Sequence, residues 1–161
     1  MDKERRDFRN DNLDPDSPTG KGYIGEQITC SVRGIKNLNI EKDNFEVPID
    51  HSIDSEYGTV QSKCAVYSSV YRMWKLYTEN ERKKDFDYLF VYCMSNDMKN
   101  VERVYIIPWE EVIKRKSISI VKDPSKGVQW YEKYRVDEKP YNDAYHSMDL
   151  SSILRKKRKM K

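Results

Sequence analysis

The stretch from Phe86 to Met94, broken only by Asp87, is the strongest strand signal in a chain that is otherwise 35% charged. Successive strand residues point to opposite faces, so a strand that meets water on one side alternates apolar with polar. Tyr88-Leu89-Phe90-Val91-Tyr92 does not alternate, which predicts burial on both faces. Such a strand must lie inside a sheet with a covering layer on each side, and this fixes the rest of the architecture.

The other elements are read around it. Ile24, Ile28, Val32 and Ile35 recur at helical spacing and predict a helix from about Gly22 to Arg33, with Gly34 as its stop. Phe45, Val47 and Ile49 alternate with Glu46, Pro48 and Asp50, as a strand does, and Pro48 leaves its outer side unpaired. Ser52 to Tyr57 reads as a turn, Gly58 to Tyr67 as the second strand of a hairpin, and Met73 to Tyr77 as a third strand. Val101 to Ile107 is a further strand, Pro108 starts a short helix to Lys114, and Ser117 to Val121 reads as an edge strand. The Trp- and Tyr-rich residues 128–148 read as a partly helical cap. The predicted class is α/β, a mixed central β-sheet flanked by α-helices.

With 161 residues the chain suits one domain. Residues 1–20 read as a flexible polar arm, 21–150 as the folded domain and 151–161 as a basic tail. The net charge of +3 comes from that tail: residues 155–161 hold six of the 30 Lys and Arg, leaving 24 against 27 acids, or −3. The body is therefore no uniformly basic clamp, and any nucleic acid must be held by a local groove or the tail. No apolar run approaches the ~20 residues of a membrane span, and the charged start from Met1 to Arg6 is no secretory signal. Cys30, Cys64 and Cys93 are widely spaced and odd in number. That suits a reduced, intracellular protein with no disulfide frame.

The polar residues worth noting lie on the second strand. A period of two puts Gln61 and Lys63 on one face and turns Cys64 away. An acid at the end of the preceding strand, Asp50, then a turn, then a polar residue and a lysine two apart, is the layout of a metal-dependent nuclease site.

Several segments together carry a resemblance. They are Gly25-Glu26 in the first helix, Asp50, Gln61-x-Lys63, the run from Asp85 to Val91, and Val104 to Pro108. Over about residues 22–120 they resemble the PD-(D/E)XK, or restriction-endonuclease-like, superfamily, nearest to its small homing- or restriction-type DNA endonucleases. Gln61 stands where Asp or Glu is usual, and Pro48 and Asp50 are separated by Ile49. The resemblance implies an endonuclease that hydrolyses phosphodiester bonds in double-stranded DNA with Mg²⁺ or Mn²⁺. Asp50, Gln61 and Glu26 would be metal ligands, and Lys63 would hold the attacking water or steady charge on the phosphate. One such site cuts one strand, so double-strand cleavage implies a homodimer, for which residues 128–148 are a candidate surface. No membrane and no small-molecule cofactor is implied. Two alternatives remain open: a non-catalytic nucleic-acid-binding domain of the same fold, and a structure-selective junction-resolving nuclease.

Asp54 and Glu56 compete with Asp50 but fall in the predicted turn. Glu26 lies about 200° round the helix from Ile24, off its apolar stripe. His51 reads as a bystander and His146 as structural. Tyr71 is a candidate for contact with bases or phosphates.

Overall fold

The computed structural model describes residues 18–35, 52–78, 86–124 and 127–148. Helix α1 (Pro18–Arg33) is followed by strands β1 (Ser52–Asp54), β2 (Gly58–Val66) and β3 (Met73–Tyr77). Next come β4 (Tyr88–Met94), β5 (Val101–Pro108), the single-turn α2 (Trp109–Val112) and β6 (Ser117–Val121). A 3₁₀ turn (Glu132–Tyr134), β7 (Arg135–Val136) and α3 (Lys139–Ser147) complete the described chain. None of the described helices is long and apolar enough to cross a membrane.

The expectation for Phe86 to Met94 holds. β4 sits at the centre of a five-stranded sheet in the order β1-β2-β4-β5-β7, and Leu89 to Met94 are fully buried on both faces. β2 and β4 run parallel and the other pairs antiparallel, so the sheet is mixed. On one face, Ile24 and Ile28 of α1 and Tyr141 and Tyr145 of α3 cover Phe90, Tyr92 and Met94. On the other, Trp74, Leu76, Ile118 and Ile120 cover Leu89, Val91 and Cys93.

That second layer corrects the expected strand order. β3 does not join the central sheet. It pairs antiparallel with β6, forming a separate two-stranded ribbon. Both strands alternate between buried and more open positions, which suits a ribbon docked by one face. The expected cap is also corrected. Trp130, Tyr131 and Tyr134 pack on the ribbon side and Tyr141 and Tyr145 on the helix side, because the chain crosses the sheet edge at β7. Tyr131, Tyr141 and Tyr145 are buried in the chain's own cores, and Trp130 and Tyr134 are partly buried.

α1 starts at Pro18, before the expected Gly22, and ends as predicted: Gly34 has φ +67°, and the amides of Gly34 and Ile35 both donate to the Cys30 carbonyl. The hairpin turn begins later than the sequence predicts. Ser52–Asp54 are strand, and only residues 55–57 turn. The expected strand over residues 45–50 lies outside the described residues.

Gly58 opens β2 at φ +75°, where a Cβ would lie 2.2 Å from Oδ2 of Asp87. That oxygen accepts from the amide and hydroxyl of Thr59 at 2.9 and 3.1 Å, tying the hairpin to the entry of β4. Gly58→Ala should destabilise by ~1–2 kcal/mol for the left-handed backbone, plus about 1 kcal/mol for displaced hydrogen bonds. Urea unfolding would read this as a lower midpoint at constant slope. An unchanged midpoint would mean the turn tolerates a side chain.

Candidate active site

β2 alternates as expected. Ser62 and Cys64 face α1, close enough that a Cβ on Gly25 would meet Cys64 Sγ at 3.3 Å and Ser62 Cβ at 3.4 Å. Gln61 and Lys63 therefore project from the opposite face, in register with Leu89 and Val91 of β4. Two residues further on, Ala65 is buried in the layer beneath the ribbon. Gln61 and Lys63 are partly exposed, so they stand at the rim of that apolar layer, where the face passes from core to solvent. Among the described residues β1 pairs with β2 only as far as Val60, and beyond it β4 is the sole neighbour.

Glu26 follows Gly25 on α1 and is half-buried. It approaches β2 from the helix side, whereas Gln61 and Lys63 leave from the other. The charges of Lys21, Glu26 and Lys63 all act on the Cys64 thiol. Burial pushes that thiol up to about 12, which excludes it as a nucleophile near neutrality. Cys93 is buried too, and Cys30 half-exposed.

A hydroxyl cluster fixes α1 on the sheet. Thr29 Oγ1 donates to the Gly25 carbonyl at 3.0 Å and lies 2.6 Å from Ser62 Oγ and in hydrogen-bond contact with Tyr92 Oη. It bridges the helix carrying Glu26, the strand carrying Gln61 and Lys63, and the central strand. Sequence reading missed it, although alternation alone turns Ser62 inward, towards the helix.

Asp50 and His51 lie outside the described residues. Asp54 is no turn residue. It ends β1 with its side chain buried, and Arg33 Nε and Nη2 donate to its two oxygens at 2.8 and 3.2 Å. The amides of Glu56 and Tyr57 also donate to Oδ2, at 2.8 and 2.9 Å. Burial pushes this carboxyl up, but Arg33 and the two amides outweigh it and hold the group below the ordinary aspartate value. Asp54 is thereby committed to holding the hairpin on α1. Glu56 is exposed and pairs with Arg33 Nη2 at 2.8 Å. His146 Nε2 lies 3.0 Å from the Lys99 carbonyl and 2.9 Å from Asn100 Oδ1, joining α3 to the β4–β5 turn. Tyr71 is 73% exposed in the turn between β2 and β3.

Among the described residues no three His, Cys, Asp or Glu gather to hold a metal. The candidate ligands among the described residues are the Gln61 amide, on the face of β2 that carries Lys63, and the Glu26 carboxylate on the helix side, both hard oxygen donors of the kind Mg²⁺ takes.

No family model matches the chain, and no curated protein matches it in sequence. Its fold is similar to that of the solved bacterial homing endonuclease I-Ssp6803I, with a TM-score of 0.54 at 22% identity over 89% of this chain and 96% of the other. The likeness is one of fold: a central mixed sheet with helices on its faces.

Proposed function

We propose that this chain is a metal-dependent DNA endonuclease of homing or restriction type, with its site at Asp50, Gln61, Lys63 and Glu26. The observation that carries this reading is the placement of Gln61 and Lys63 side by side, partly exposed, on one face of β2. It is supported by a fold similar to that of a protein described as a homing endonuclease.

Gln61 and Asp50 would hold Mg²⁺ or Mn²⁺ through oxygen, and Glu26 would have to reach round β2 from the helix side to join them. When bound, the ion neutralises charge on the phosphate and favours the attacking water. Lys63 holds its ammonium where a phosphate oxygen gains charge and helps to orient the water. Gln61 offers one carbonyl oxygen without the charge of a carboxylate, so the two acids supply the negative charge that retains the ion. The substrate is double-stranded DNA. Cutting both strands calls for two copies related by a two-fold axis.

A second reading has one observation in its favour. The neutral Gln61, with no three acids together among the described residues, suits a nucleic-acid-binding domain without catalysis. Supercoiled plasmids of varied sequence, incubated with pure protein and Mg²⁺ or Mn²⁺ and in parallel with EDTA, decide between them. The enzyme reading expects nicked and linear products only with metal. Binding without metal-dependent cutting on any of these DNAs would favour the binding domain.

A further inference from the structure

The β3–β6 ribbon has two unlike faces. Its inner face, Trp74, Leu76, Ile118 and Ile120, is buried on the central sheet. One end is anchored to the body: Trp74 Nε1 donates to the Met94 carbonyl at 2.7 Å and Val121 N to Tyr131 Oη at 2.8 Å. At the other end the two strands are tied to each other, Thr78 N donating to the Lys116 carbonyl at 2.9 Å. The outer face is chemically different. Lys75 and Tyr77 stand exposed, in register with Ser119 and Ser117, and Lys75 Nζ lies 5.3 Å from the centre of the Tyr77 ring. The docked ribbon thus presents an amine and three hydroxyls outward.

Charge singles out the same element. Residues 68–78 and 113–124 hold six basic side chains and one acid, on a body that is net acidic without its tail. Arg115 and Lys122 are engaged by Glu111 and Glu102. Arg72, Lys75 and Lys116 are exposed and pair with no acid among the described residues. Arg72 adjoins the Met73–Val121 end and Lys116 the Tyr77–Ser117 end. Five-residue strands span on the order of 17 Å. The major groove is about 12 Å wide and admits a two-stranded ribbon, so cations at the ribbon's ends would meet its phosphate walls.

Position completes the case. The ribbon lies on the sheet face from which Gln61 and Lys63 project, over Ala65, two residues beyond Lys63. DNA seated on it would pass beside the candidate site.

We propose that the β3–β6 ribbon reads duplex DNA: Lys75, Tyr77, Ser117 and Ser119 enter the major groove, while Arg72 and Lys116 grip the flanking phosphates. This rests on the nuclease reading only in taking duplex DNA as the ligand.

The full chain is offered a randomised duplex library in EDTA, and the selected and scrambled duplexes are then titrated at several salt concentrations. Wild type, Lys75→Ala/Ser119→Ala and Arg72→Ala/Lys116→Ala are compared, with thermal melting to verify folding of these exposed-side-chain variants. Lys75→Ala/Ser119→Ala is expected to bind the selected duplex at least tenfold more weakly and the scrambled one nearly as before. Arg72→Ala/Lys116→Ala is expected to weaken both duplexes alike and to reduce the salt slope by about 1.8, at ~0.9 per phosphate contact. If both variants match wild type on both duplexes, the ribbon proposal falls while the nuclease reading stands. If the variants change only self-association, the ribbon is an interface between copies and the proposal is likewise overturned. If wild type binds no duplex in EDTA yet cuts with metal, the ribbon proposal alone falls; if it neither binds nor cuts, the nuclease reading falls with it.

Discussion

Lys63→Ala is expected to slow metal-dependent cleavage about 10²–10³-fold, the usual result of deleting one preorganised charge-stabilising donor. Lys63 is half-exposed at the rim of β2, so truncation opens no core cavity and the fold should persist. DNA affinity should fall only slightly, because one cation among several is lost. The loss therefore belongs in the single-turnover rate and not in binding. Lys63→Arg should restore little, since a planar guanidinium is broader and distributes its charge differently from an ammonium. Time courses of supercoiled plasmid conversion, beside binding titrations in EDTA, measure both quantities. A variant that cuts at the wild-type rate would remove Lys63 from the mechanism.

Asp54→Asn should give the largest loss of stability, about 3 kcal/mol, out of the ~5–15 kcal/mol that holds a domain folded. The Asp54 side chain is 1% exposed, and Arg33, 24% exposed, grips both its oxygens. Asparagine keeps an acceptor but turns an NH₂ towards a guanidinium that can only donate. The expected loss sits at the low end for broken buried pairs because Arg33 keeps some contact with water. The sign of the pH effect follows from the depressed carboxyl. Its contribution is complete above the unfolded-state aspartate value, about 3.9, and disappears as pH falls through the lower folded-state value. Wild type and variant should therefore differ most at neutral pH and converge on strong acidification. Urea titrations at stepped pH test this; a gap that stays constant to low pH would mean the pair contributes nothing as an ion pair.

The elements that sequence revealed are those whose physics is local. The unbroken apolar run around Phe90 could only be an interior strand. Ile24 and Ile28 revealed α1 through their spacing and Gly34 its end through one backbone angle, whereas its start at Pro18 lies ahead of the apolar repeat. The period of two put Gln61 and Lys63 on a shared face without further help. What stayed hidden depends on partners distant in the chain. β3 and β6 are short alternating strands that would read the same at the edge of the main sheet, and their pairing joins Leu76 to Ile118. Asp54 looked like a turn acid because its partner, Arg33, lies 21 residues upstream. The contacts of Thr29 with Ser62 and Tyr92 span 33 and 63 residues. Hydroxyls of that kind carry no local signature. Residues 128–148 read as one cap in sequence because composition reveals aromatic content but not which side of a sheet each ring takes.

The crossing at β7 has a consequence for how the chain is made. Tyr131 completes the layer under the ribbon, and Tyr141 and Tyr145 complete the layer under α1. In chain order the ring that completes the layer under the ribbon comes ten residues before the first that completes the layer under α1. During synthesis the ribbon side therefore has its last aromatic before the helix side does.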